Sequence, residues 1–311
     1  MASLNLEPEI AAVLDLLPPI TLGDESLVEM RSLMAGLGGG AALPPGVVVD
    51  EHVVNDDGVI VRILRPAAAT PAAPCLYWIH GGGFVMGDRA VDDAQLAGWV
   101  AEIGCVVVSV EYRLAPEHPY PLPLDDCYAG LTWVHDNAAL LGIDLTRLGV
   151  GGTSAGGGLA ASLSLLARDR GGFAIAFQLL DSPMLDDRRI TPSSRLDDLA
   201  MWNKDSNAFG WRSYLGELFG TDEVPATAAP ARATDLSGLP PALVFVGAVD
   251  GFRDEDIDFA TRLNQAGVAC ELHVYSGAPH AFGLFPDTPV ARQAAGDMDR
   301  WLRRRWAVAA S

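Results

Sequence analysis

Positive charge is in short supply. The 311-residue chain carries 21 Lys plus Arg against 40 Asp plus Glu, a formal net charge of −19, so a phosphate backbone or an anionic membrane surface would repel it at long range. Nucleic acid is therefore not an expected partner. Long apolar runs are also absent, and nothing approaches the roughly 18 uninterrupted apolar residues of a membrane span. Membrane insertion is not expected. The opening MASLNLEPEIAAVLDLLPPITLGDES has no basic leader and sets Glu7, Glu9 and Asp15 among its apolar residues, which is unlike a secretory signal. Cysteine is sparse: Cys75, Cys105, Cys127 and Cys270 stand far apart, with no CxxC pair and no Cys/His grouping of zinc type. This argues against a disulfide framework and against a metal site, and for a reduced, cytoplasmic protein. With no internal repeat and no low-complexity linker, the chain reads as one continuous unit.

What is present is ordinary globular material, 50% apolar and 20% charged, long enough to bury a substantial core. VVVDEHVV, NDDG and VIVRILRP form an alternating run, a turn and a second alternating run, which predicts an antiparallel hairpin. The pattern then changes. CLYWI (75–79), CVVVSV (105–110), RLGVGG (147–152), IAFQLL (175–180), ALVFVG (242–247) and CELHVY (270–275) are short apolar runs bounded by Gly or Pro. Between most of them lie the helical-looking segments VDDAQLAGWVAEIG, DDCYAGLTWVHDNAALLG, SAGGGLAASLSLLARD and DEDIDFATRLNQAG. Strands apolar on both faces and alternating with helices predict an α/β fold with a mostly parallel sheet.

Two segments break the alternation. A helix-rich lead over residues 1–45 ends in GLGGGAALPPG, and residues 186–230 interrupt the strand order. Insertions at the loop ends of a parallel sheet often cover a site. Both segments are expected to form a helical cap on a core made of residues 46–185 and 231–311. Trp202, Phe209, Trp211 and Tyr214, in the second segment, suit either substrate contact or the cap's own interior.

The stretch GVGGTSAGGGLAAS (149–162) holds six glycines in ten residues. Its nearest G-x-G-x-x-G frame ends in Ser154 rather than Gly, and no lysine is nearby to complete a P-loop, so neither phosphate motif is met. No cofactor is expected. What fits is G-x-S-x-G at Gly152-Thr153-Ser154-Ala155-Gly156, between a strand and a helix whose Leu159, Leu163 and Leu166 keep helical spacing. In such a turn the serine takes an unfavourable backbone conformation, and the residues two before and two after it must be very small.

Three further features agree. His80-Gly81-Gly82-Gly83 follows the strand CLYWI, and bare glycine N–H groups can closely approach an oxyanion. Gly82 and Gly83, with the N–H of Ala155, are the expected oxyanion donors. Asp250 follows the strand ALVFVGA, and His280, in GAPHAF, lies just beyond CELHVY. Ser, Asp, His is the chain order of hydrolases on this kind of sheet. Ser154 would attack an acyl carbon, His280 would relay the proton, and Asp250 would orient the imidazole. The rival acids Asp254 and Glu255 fall one turn further on, at a helix start. His52, His118, His135 and His273 read as structural.

Together HGGGFVMGD (80–88), EYRLAPEHPYPLPLDDC (111–127), GTSAGGG (152–158), VDGFRDED (249–256) and GAPHAF resemble the bacterial hormone-sensitive-lipase family of esterases, over about Pro74 to the C-terminus. The resemblance implies an α/β-hydrolase fold with a helical cap, and a cofactor-free carboxylesterase acting on small-molecule esters with short acyl chains or small aryl groups. It implies the same triad and the same three donors, and it leaves a homodimer open. Two places depart from the family: Gly251-Phe252 stands where Pro-Leu is usual, and Thr153 where Asp is frequent. An amidase or peptidase would use the same triad, whereas a small-molecule receptor on this scaffold would be expected to lose one of its members.

Overall fold

The computed structural model describes residues 5–16, 21–37, 42–68, 70–197 and 199–308. The glycine-rich positions 38–41 of the lead segment lie outside the described residues.

In chain order the elements are α1 (Pro8–Leu14), α2 (Leu27–Leu37), β1 (Val47–Val53), β2 (Ile60–Pro66), β3 (Ala73–Ile79), α3 (Asp93–Ile103) and β4 (Val106–Glu111). There follow α4 (Leu122–Asp136), α5 (Ala138–Leu141), β5 (Ile143–Thr153), α6 (Ala155–Arg170), β6 (Gln178–Asp181), α7 (Lys204–Leu215), β7 (Ala242–Val249), α8 (Arg253–Gln265), β8 (Cys270–Pro279) and α9 (Pro289–Val308). The eight strands make one sheet in the order β1-β2-β4-β3-β5-β6-β7-β8. β1 pairs antiparallel with β2, and β2 with β4. The remaining pairs are parallel, as the apolar runs predict.

Alternation along the strands divides the interior in two. In β3, Cys75, Tyr77 and Ile79 join the layer packed with α4, α6 and α8, while Leu76 and Trp78 join the layer packed with α3 and α9. Successive strand side chains point to opposite faces, so a strand buried on both must be apolar throughout. The sequence reading puts no element after His280, yet α9, 20 residues long, occupies that region. Val290, Ala294, Met298, Trp301 and Leu302 are buried at helical spacing along it, and losing a side chain as large as Trp301 would cost about 3–5 kcal/mol.

The two helices of the lead segment are held in different places. Glu7 N–H donates to the carbonyl of Gly277 at 2.9 Å, near the end of β8, and Ile10 is buried in the α3/α9 layer. Residues 21–24, just before α2, are tied instead to α7 and its entry. Leu22 N–H donates to Ser206 Oγ at 2.9 Å, Asn203 Nδ2 to Thr21 Oγ1 at 2.9 Å, and Arg212 to Asp24 at 3.1 Å. Asn203 caps α7 by accepting from the N–H groups of Asp205 and Ser206, the usual work of an Asn at that position.

Candidate active site

The five segments that carry the family resemblance all start at the C-terminal ends of strands in the parallel part of the sheet. β5 runs out at Thr153, and Ser154 takes φ 57° and ψ −118° before α6 begins. That conformation is costly for a residue with a Cβ, and close packing holds it. Ser154 N–H donates to Asp181 O at 2.7 Å, and its own carbonyl accepts from Gly158 at 3.0 Å and Met184 at 3.0 Å. A Cβ on Gly156 would fall 2.0 Å from the carbonyl oxygen of Ile79, and one on Gly152 would fall 2.5 Å from Gly156. The glycines flanking Ser154 are therefore required by space, as the pentapeptide predicts.

β7 and β8 deliver the other two side chains. His280 Nε2 lies 3.0 Å from Ser154 Oγ, and its Nδ1 lies 2.8 Å from Asp250 Oδ2. Asp250 Oδ1 accepts from Phe252 N–H at 2.9 Å, and the ring of Phe252 meets the imidazole edge-on at 5.0 Å. All three side chains are buried, Ser154 being 6% exposed and His280 7%. The rival acids lie elsewhere: Asp254 bonds Arg253 and Ser193, and Glu255 accepts the N–H groups of Leu185 and Asp186.

Burial works against the imidazolium of His280, but the charge of Asp250, its hydrogen bond and the more distant Asp181 outweigh it. The His280 pKa is raised above the ordinary histidine value. Asp181 is a neighbour that sequence reasoning did not single out. Burial pushes its carboxyl up to about 7, and its side chain bonds Ser182 Oγ at 3.1 Å.

The segment after β3 is braced from several sides. His80 stacks on Tyr112 with ring centres 4.3 Å apart, and Tyr112 Oη donates to the His80 carbonyl at 3.0 Å. Gly82 has φ 117°, and a Cβ there would collide with the Met86 carbonyl at 2.1 Å, so only glycine fits. Among the described residues nothing accepts a hydrogen bond from the N–H of Gly82, Gly83 or Ala155. Phe84 stacks on Tyr214 at 4.1 Å and meets Trp211 at 5.2 Å, while Arg31 of α2 donates to the Val85 carbonyl at 2.7 Å. Arg31 and the aromatics of α7 thus hold the outer side of this loop. Sequence reasoning missed Arg31, because nothing local links it to a loop some fifty residues later.

Among the described residues no group of His, Cys, Asp or Glu has metal-site geometry, and no helix is long and apolar enough to cross a membrane. Of the four cysteines, Cys75, Cys105 and Cys127 are buried and Cys270 is half-buried, all as free thiols.

Comparison with known proteins agrees with this architecture. A family model described as alpha/beta hydrolase fold matches residues 76–284. Esterase LipI of Mycobacterium tuberculosis is 36% identical over 294 residues, covering 93% of this chain and 92% of that protein. Carboxylesterase NlhH of the same species is 35% identical over 301 residues, covering 94% and 93%. Among solved structures, bacterial heroin esterase superposes with a TM-score of 0.92 at 39% identity, over 97% of this chain and 98% of that one. The chain belongs to the alpha/beta hydrolase fold family, in its hormone-sensitive-lipase-like branch.

Proposed function

We propose that this protein is a carboxylesterase that cleaves small-molecule esters through an acyl-enzyme on Ser154, with His280 as proton carrier, Asp250 as its orienting anion and short-chain acyl groups preferred. The observation that carries the proposal is the hydrogen-bonded line Ser154 Oγ, His280 Nε2, His280 Nδ1, Asp250 Oδ2, with contacts of 3.0 and 2.8 Å. Relatives called esterase and carboxylesterase support the ester bond as the target.

The chemistry follows from charge. As Ser154 Oγ bonds to the acyl carbon, its proton passes to His280 Nε2 and the carbonyl oxygen becomes an oxyanion. The N–H groups of Gly82, Gly83 and Ala155 supply the opposing dipoles, Ala155 at the N-terminus of α6, where the helix is partially positive. Collapse of the intermediate expels the alcohol, which takes its proton from His280. Water then repeats the sequence and releases the acid. Asp250, anchored by the N–H of Phe252, keeps Nδ1 protonated and Nε2 free to accept. Residues 21–37, together with α7 and its entry, serve as the cap over these groups.

Ser154→Ala should fold normally and lose turnover of p-nitrophenyl acetate by a factor on the order of 10⁶. Substantial hydrolysis by that variant would overturn the proposal.

A further inference from the structure

Of the four aromatics in the segment leading into and along α7, one stands apart. Trp211 and Tyr214 are wholly buried against Phe84, and Phe209 lies under the guanidinium of Arg212. These three pack the interior of the segment. Trp202 instead touches the glycine loop: a Cβ on Gly83 would fall 2.2 Å from its Cη2 and 2.7 Å from its Cζ2. The six-membered end of the indole fills the space a side chain at position 83 would need. The same ring lies 6.4 Å from the imidazole of His280, centre to centre, tilted by 44°. Gly210 of α7 backs it closely, since a Cβ there would lie 3.4 Å from Cζ2.

Trp202 is 8% exposed, and its Nε1 is buried with no partner among the described residues, as are Trp211 Nε1 and Tyr214 Oη. An orphaned donor costs about 1–3 kcal/mol, a cost that phenylalanine would avoid. What distinguishes Trp202 is its place, a wide, flat and rigid ring set against Gly83 and near His280.

The reaction geometry says which part of a substrate meets that surface. The carbonyl oxygen must face the N–H groups of Gly82 and Gly83, and the leaving oxygen must come within hydrogen-bond reach of His280 Nε2 to take its proton. The ester group therefore spans from the glycine loop to His280, and the alcohol portion begins on the His280 side, where the Trp202 ring lies 6.4 Å from the imidazole. We propose that Trp202 is a wall of the leaving-group subsite and selects esters of aromatic alcohols, phenols and naphthols, over esters of bulky aliphatic alcohols. This rests on the esterase reading above and assigns its alcohol specificity. A flat ring stacks on the indole with the offset geometry aromatic pairs favour, whereas a puckered ring meets an unyielding face.

The test compares wild type with Trp202→Ala, Trp202→Leu and Trp202→Phe on 2-naphthyl acetate, cyclohexyl acetate and a series of phenyl esters of lengthening acyl chain. Intrinsic ester reactivity cancels when the naphthyl-to-cyclohexyl ratio of kcat/KM is compared between proteins. That ratio should fall about tenfold in Trp202→Ala, from the loss of one aromatic pair, with the acyl-chain profile unchanged. Trp202→Leu retains bulk without a flat face and should show the same fall even if the alanine variant fails to fold, while Trp202→Phe should keep most of the ratio. An unchanged ratio in active variants, or an effect confined to the acyl series, would overturn the assignment of Trp202. Failure of the wild type to hydrolyse any acetate would overturn the esterase reading itself.

Discussion

Arg31, on the second helix, donates from Nε to the carbonyl of Val85 at 2.7 Å, three residues beyond Gly82. The same guanidinium bonds the Ala115 carbonyl at 2.9 Å and forks onto Glu117 at 2.7 and 2.8 Å. One side chain thereby joins α2 to the loop that carries two of the expected oxyanion donors. Lysine could not hold three partners in this planar arrangement.

Arg31→Ala should therefore lower kcat by roughly tenfold, because small misplacement of donors weakens transition-state stabilisation, with KM little changed. Arg31→Lys should fall between the two. Steady-state kinetics on a short-chain ester, with circular dichroism to check folding, decides it. A raised KM with kcat intact would mean that Arg31 shapes binding rather than positioning the loop.

Acidic pH should switch the enzyme off above the usual histidine range. Imidazolium cannot accept the Ser154 proton, and the His280 pKa is raised by Asp250 and Asp181 against the opposing effect of burial. The acid limb of kcat/KM should thus have its inflection above about 6.5. Asp181, its own carboxyl pushed up to about 7 by burial, titrates in the same range and is the weakest of these influences, so Asp181→Asn should move that inflection to lower pH by only a small step. A profile identical in the two proteins would contradict the coupling.

Asp256 bears on stability. It is fully buried, and neither carboxylate oxygen has a hydrogen-bond partner among the described residues. Burial, joined by the nearby acids Glu255, Asp250 and Asp181, holds its pKa well above the ordinary carboxyl value. The folded state keeps a proton that the unfolded chain releases near pH ~3.9, so stability declines as pH rises above that point. Asp256→Asn should flatten this decline and raise the urea midpoint at about pH 8 more than at about pH 5. Parallel curves for the two proteins would show that Asp256 is ionised in the fold.

Two glycine substitutions should act in opposite directions. A methyl at Gly156 would press into the Ile79 carbonyl at 2.0 Å, whereas one at Gly98, inside α3, meets nothing within 4 Å. Gly98→Ala should gain about 0.5–1 kcal/mol through helix propensity. Gly156→Ala should lose at least about 1–3 kcal/mol to overpacking and most of its activity. Thermal unfolding of the pair measures both.

The chemical groups were more legible in the chain than their surroundings. Ser154, Asp250 and His280 could be picked out because each follows a short apolar run, and strand ends of a parallel sheet gather at one edge. The glycines around Ser154 were legible because crowding leaves a compositional mark. Arg31 and Asp181 left no such mark, since their importance lies in contacts across long stretches of chain, and Trp202 stood out only as one of four aromatics with the same two readings. The helix α9 carried helical spacing but no chemistry to draw attention to it. The lead segment reads in the sequence as one helix-rich part of a cap, yet its first helix is fixed near β8 and the stretch before its second near α7, a division made by tertiary packing.

The most direct measurement is peptide-mapped mass spectrometry after exposure to a fluorophosphonate, with ester hydrolysis followed in the same samples. A single adduct on Ser154 is expected, absent from Ser154→Ala and formed far more slowly in His280→Ala, with hydrolysis lost in proportion to labelling. An adduct on another residue, or full hydrolysis by a protein completely labelled at Ser154, would contradict the assignment of Ser154 as the nucleophile.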